Sequence, residues 1–197
     1  MLSGNKEEEY LDLVFERIDD ASVLSNFYCG IEEMDDFIHH KFQDYLSKTG
    51  CDAYTIRQGD EIVAMLSLGE DTLFLDDDDK DDMRLGFVPK PNIALEDQGF
   101  LAEKEFPAIE ITYLAVDEKR RGQGIGEYII SQIEHKVQRD NPGCEFITVE
   151  AYKTKDYSAV GFYSRCDFTP AEQPLSYKDT LRMYKVLHPT RQTNLWY

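Results

Sequence analysis

The sequence predicts a single α/β (α+β) domain with a mixed central sheet flanked by helices. Three observations predict it. Strand-like and helix-like runs alternate along 197 residues, a length that fits one large domain or two small ones. Hydrophobic residues make up 42% and charged residues 30%, the balance of a globular chain. The strongest strand pattern leads through a glycine-rich turn into the strongest helix pattern.

Taken in order, residues 10–15 alternate apolar and polar positions and predict a first strand. Residues 30–47 predict one helix, because Ile31, Met34, Phe37, Ile38, Tyr45 and Leu46 form a stripe at spacings of three and four. Cys29-Gly30 and Thr49-Gly50 punctuate its ends. DAYTIR and EIVAMLSL then read as a hairpin joined by Gln58-Gly59-Asp60. Residues 70–82 hold eight acids and one lysine and predict a solvated loop, since blocks of like charge repel. They lack the glycine and glutamate spacing of an EF-hand.

Residues 107–116 predict the central strand, with Glu110, Thr112, Leu114 and Val116 on one face. A helix follows from Gly124 to Gln138, with Ile125, Ile129, Ile130, Ile133 and Val137 on one side, and Asn141-Pro142-Gly143 stops it. EFITVEAY is the next strand, residues 158–165 a short helix, and LRMYKVL the closing strand.

The chain carries 39 acidic and 21 basic residues, a net charge of −18. Residues 1–100 hold 25 acids and 8 bases, whereas the remainder is near neutral. Phosphate binding depends on Lys and Arg displacing counterions, so this acidity argues against a nucleic-acid partner. A cationic partner would instead be attracted. No apolar run approaches the length of a membrane span, and the N-terminus lacks the pattern of a signal peptide. Cys29, Cys51, Cys144 and Cys166 form no CxxC pair and read as reduced thiols, which predicts a cytoplasmic protein. His39, His40 and His135 have no metal-ligand spacing and read as surface residues, so no metal is expected.

The chemistry concentrates in residues 114–126, LAVDEKRRGQGIG. A strand ends, a glycine-rich loop turns, and a helix begins. The first amides of a helix have no intrahelical partner and carry partial positive charge. With glycines admitting a ligand to the backbone, and Arg120 and Arg121 adding cationic donors, the segment suits a pyrophosphate. A Walker A loop is excluded because Glu127 follows Gly126 where Lys-Ser or Lys-Thr is required. The spacing of Gly122, Gly124 and Gly126 fits the dinucleotide fingerprint poorly.

Arg121, Gly124 and Gly126 do match Arg-x-x-Gly-x-Gly. After an apolar strand ending in Ala-Val-Asp, this resembles the acetyl-CoA loop of the GNAT (Gcn5-related N-acetyltransferase) superfamily. Two further segments extend the likeness: Val149-Glu150-Ala151 at a strand end, and Ala159–Phe168 (AVGFYSRCDF), which is similar to the family's Ala-x-x-Phe-Tyr helix followed by Gly-Phe. Asp167 stands where the family has glycine, a departure that bears on the turn after this helix. The resemblance spans roughly residues 50–187. Phe27-Tyr28-Cys29-Gly30 leading to Met34-Asp35-Asp36-Phe37-Ile38 also resembles a helix of toxin-type GNATs, a branch whose known members acetylate aminoacyl-tRNA.

The resemblance implies a GNAT fold over residues 1–187 with a tail at 188–197, its sheet splayed between two central strands. It implies acetyl-CoA as cosubstrate and direct attack of a primary amine on the thioester. Leu114, Ala115 and Val116 would hold the pantetheine, with the Leu114 N–H near the thioester carbonyl. Arg121, Gly122, Gln123, Gly124, Ile125 and Gly126 would hold the pyrophosphate, and Phe162 joins this set. Tyr163 is the implied general acid and Glu110 the implied base, with Glu150 as a second candidate. The expected acceptor is a cationic small-molecule or peptide amine. Aminoacyl-tRNA acetylation and acyl-CoA binding without turnover are the alternatives. A homodimer is left open, with Leu195-Trp196-Tyr197 as one candidate contact.

Overall fold

The computed structural model describes residues 12–86, 102–141, 143–171 and 179–187. The tail 188–197 and its Trp-Tyr end lie outside these residues, as does the start of the first predicted strand. Strand β1 is Leu13–Arg17, and a 3-10 turn at Ala21–Leu24 follows it. Next come helices α1 (Glu32–His40) and α2 (Phe42–Thr49), then strands β2 (Asp52–Gln58) and β3 (Glu61–Phe74). Helix α3 is Asp77–Leu85, strand β4 Glu105–Val116 and helix α4 Ile125–Asp140. Strand β5 (Phe146–Tyr152), helix α5 (Val160–Arg165), the short strand β6 (Thr169–Pro170) and β7 (Thr180–Val186) complete the described chain.

The strands form one seven-stranded sheet in the order β1-β2-β3-β4-β5-β7-β6. The pairs β1/β2, β2/β3, β5/β7 and β6/β7 are antiparallel. The β2–β3 hairpin turns where expected, with Gly59 at φ +59°, a conformation glycine adopts without a Cβ penalty.

Two compact units are distinguished: residues 1–69 with 111–131, and residues 70–110 with 132–197. In the first, Leu24, Ile38, Phe42 and Met65 are almost fully buried in one apolar cluster that also takes in Phe27, Cys29 and Ala115. In the second, Leu73, Leu75, Met83, Phe146 and Tyr184 form the equivalent cluster. Helix α4 follows the sequence closely. Ile125, Ile129, Ile130, Ile133 and Val137 are each at most 4% exposed, and burying a side chain of this size contributes roughly 2 kcal/mol.

Two expectations are overturned. The helix expected over residues 30–47 is two helices that break at Lys41 (φ −126°, ψ −20°). Asp36 gathers the joint by accepting hydrogen bonds from His40 Nδ1 at 3.1 Å and Lys41 Nζ at 2.6 Å. Beyond the break, Phe42 packs with Phe37, Tyr45 and Tyr113, and its full burial offsets the interrupted helical ladder.

The acidic segment 70–82 is not a loop. Its first residues finish β3 and its later ones form α3. Asp76 Oδ1 accepts from the Asp79 N–H at 2.9 Å, while Asp79 Oδ2 accepts from the Asp76 N–H at 3.1 Å. This reciprocal cap places the aspartates where the helix dipole favours negative charge. Met83 is fully buried, and the buried Lys80 donates to the Glu103 carbonyl at 2.5 Å. Capping, dipole and one apolar anchor thus outweigh like-charge repulsion.

Candidate active site

The glycine-rich turn begins where β4 ends. Asp117 caps a short 3-10 turn, Glu118–Arg120, by accepting from the Lys119 N–H at 2.9 Å. Gly122 (φ +74°) and Gly124 (φ +84°) then take left-handed conformations that are costly for residues with a Cβ. A Cβ at Gly122 would meet no atom within 4 Å, so backbone handedness rather than space selects glycine there. Arg121, Gly122 and Gln123 are exposed, while Ile125 and Gly126 are buried at the start of the 16-residue α4. Two left-handed glycines with open space above the first, ahead of a long helix, fit a diphosphate.

Arg120 is paired with Glu61 at 2.6 Å, and the Arg121 guanidinium donates to the Cys29 carbonyl. Arg120 and Arg121 are thus engaged with the protein. Leu114 and Val116 are half-buried, whereas the side chain of Ala115 is committed to the core.

Glu110 sits in a charged cluster that sequence reasoning did not assemble. Arg182 on β7 pairs with Asp71 on β3, with Glu110 on β4 (3.5 Å) and with Glu150 on β5 (3.6 Å). Glu150 and Arg182 are direct cross-strand partners. Thr148 donates to Asp71, and Thr180 donates to Glu150 at 2.7 Å. The four charged side chains are only 15–25% exposed. Burial, then the neighbouring Asp71 charge, raises the Glu110 carboxyl above its ordinary value of 4.5, with Arg182 opposing and Glu150 adding to the rise. Both candidate bases, Glu110 and Glu150, are therefore brought to one arginine.

Tyr163 lies on α5 and is 6% exposed. Its ring meets Phe162 at 5.0 Å and Phe168 at 5.2 Å, both edge-on. Burial, then the nearby Tyr157 and Cys166, raises its phenol well above the ordinary 10. The turn after α5 closes with the Phe168 N–H donating to the Tyr163 carbonyl at 3.0 Å. Asp167 adopts φ +65° there, so the turn keeps a left-handed form without glycine.

A family model described as the acetyltransferase (GNAT) family matches residues 16–168. The chain belongs to the GNAT family. It is an N-acetyltransferase by that membership. No curated protein matches the chain. Among solved structures, this GNAT chain is similar to a bacterial toxin at 13% identity and TM-score 0.63, covering 89% of this chain and 90% of the other. It is similar to AtaT complexed with acetyl-methionyl-tRNAfMet at 21% identity and TM-score 0.63, covering 87% and 94%. It is also similar to a tyrosine-to-phenylalanine mutant of KacT at 19% identity and TM-score 0.60, covering 87% and 94%. At these identities the likeness is one of fold.

His135 is exposed, as expected of a surface residue. His39 is not a plain surface residue, because it is half-buried, its Nε2 lies 2.9 Å from the Phe27 carbonyl and its ring packs on Tyr28. All four cysteines are free, and burial pushes the Cys29 thiol up to about 12. Among the described residues, no helix is long and apolar enough to cross a membrane.

Proposed function

We propose that this GNAT-family chain transfers the acetyl group of acetyl-CoA to a primary amine on a cationic acceptor. The observation that carries the reading is the Arg121–Gly126 turn, whose two left-handed glycines open directly into α4. Its backbone would hold the diphosphate, with Leu114 and Val116 supplying main-chain groups to the pantetheine. When bound, acetyl-CoA supplies an activated acyl group whose thiolate can leave. The Leu114 N–H acts as the oxyanion donor on this reading.

Tyr163 acts as the general acid. Its phenol is protonated at neutral pH, as any tyrosine with an ordinary value of about 10 is, and can pass that proton to the departing thiolate. Glu110 acts as the base, directly or through water, and must be ionised to do so. Its raised value means that activity climbs with pH through a limb above 4.5, the ordinary carboxylate position. Glu110→Gln should abolish that limb in a pH–rate profile, and an intact limb would refute the assignment. Three carboxylates around one arginine leave this cluster with an excess of negative charge, which suits an ammonium-bearing acceptor.

A second reading is acetylation of an aminoacyl-tRNA. The similarity to AtaT solved with acetyl-methionyl-tRNAfMet favours it. The 25 acids against 8 bases in residues 1–100 oppose it. A panel of polyamines, amino sugars, peptide amines and charged tRNAs, followed by release of free CoA thiol, decides between them. Turnover confined to charged tRNA would overturn the small-amine reading.

A further inference from the structure

The Phe27–Gly30 segment has a role that the acetyltransferase reading leaves unassigned. Four main-chain groups at its turn are tied. The Cys29 and Gly30 N–H groups donate to the two carboxylate oxygens of Asp35 at 2.8 and 3.0 Å. The preceding carbonyls face the other way: Tyr28 O accepts from the Glu118 N–H at 3.1 Å, and Cys29 O accepts from Arg121. The turn therefore links the first helix to the loop that precedes Gly122.

Gly30 is fitted to this junction. It takes φ +74°, and a Cβ there would lie 2.9 Å from Glu118 Oε2 and 3.2 Å from Glu118 Cβ. The Glu118 carboxylate is the free end of a flexible side chain and can turn away, but a Cβ at position 30 also requires the Glu118 Cβ, and with it the loop, to give by a few tenths of an ångström. Cys29 contributes as a small buried group, 1% exposed, and its protonated thiol has no nucleophilic part to play.

We propose that the Phe27–Gly30 turn, clamped by Asp35, is a positioning element that sets the course of the coenzyme loop through Glu118 and Arg121. Cys29, Gly30 and Asp35 are positioning residues that act through the loop. On this account Arg121 fixes the loop from within, and its fork engages a main-chain carbonyl. The inference rests on the reading that residues 121–126 receive the diphosphate.

The test is calorimetric titration of the full-length protein with coenzyme A, with thermal unfolding measured in parallel. Gly50 supplies the control. It has a similar backbone (φ +67°) in the same unit, and a Cβ there would meet nothing within 4 Å. Gly30→Ala and Gly50→Ala should both lower Tm, since each forces a Cβ into left-handed backbone. Only Gly30→Ala should weaken coenzyme A binding, by about tenfold. Adding Glu118→Ala to Gly30→Ala removes the obstructing carboxylate and should recover part of that loss. If Gly30→Ala does not fold, Asp35→Asn carries the comparison, because the amide can no longer accept both N–H groups, and the same weakening is expected. Unchanged affinity in the folded variant overturns the proposal. A wild-type protein that takes up no coenzyme A overturns the diphosphate reading, and this inference with it.

Discussion

The glycine-rich turn and the Arg182 cluster are built in opposite ways. The turn is made from backbone: Gly122 and Gly124 contribute handedness, and the flanking arginines are spent on protein partners. The cluster is made from side chains alone, with Asp71, Glu110, Glu150 and Arg182 arriving from four strands. A backbone device is specified by a few adjacent residues. A side-chain device is specified by the fold, and each charge in it depends on the others.

The sharpest way to separate the two is to disable chemistry without touching the turn. Tyr163→Phe should lower kcat by about 100-fold or more, the ordinary scale for losing a general acid, while coenzyme affinity stays unchanged. Steady-state kinetics beside calorimetry would show it, and an unaltered kcat would remove Tyr163 from the mechanism.

Arg182→Met breaks the side-chain device. Three carboxylates, none more than 25% exposed, then lose their common cation, and a loss of about 3 kcal/mol in urea unfolding is expected. If stability is retained, the carboxylates do not depend on Arg182 for compensation.

The backbone device should give a smaller effect. Gly122→Ala introduces no clash, so only the left-handed strain of about 1–2 kcal/mol acts. Unfolding stability should fall accordingly, and urea denaturation would measure it. The smallest effect expected is a gain. Asp167→Gly should raise unfolding stability by about 1 kcal/mol, because glycine takes φ +65° without a Cβ penalty.

The same contrast explains what was legible in the sequence. The stripe Ile125, Ile129, Ile130, Ile133 and Val137 and the glycines before it are local patterns, and the structure realises them. The β2–β3 hairpin was legible for the same reason. The break at Lys41 was hidden because the stripe continues across it, and only the packing of Phe42 against Tyr113 and its neighbours shows why the chain turns. Helix α3 was hidden by its charge, since a capping box of two aspartates looks like any other pair in an acidic run. The Arg182 cluster was least accessible. Arg182 and Asp71 are 111 residues apart, and neither position is distinctive in its own segment. Glu110 and Glu150 were named singly, but the arginine that joins them was not.

Asp167 bears on how freely this chain can change. The turn after α5 requires left-handed geometry and obtains it from aspartate, one of the few L-residues that tolerate it. Aspartate and glycine codons differ by a single nucleotide. A compensating gain thus lies one point mutation away, in the exposed turn that follows the helix bearing Tyr163. A destabilising change elsewhere in the domain can be absorbed there without altering any group assigned to the chemistry.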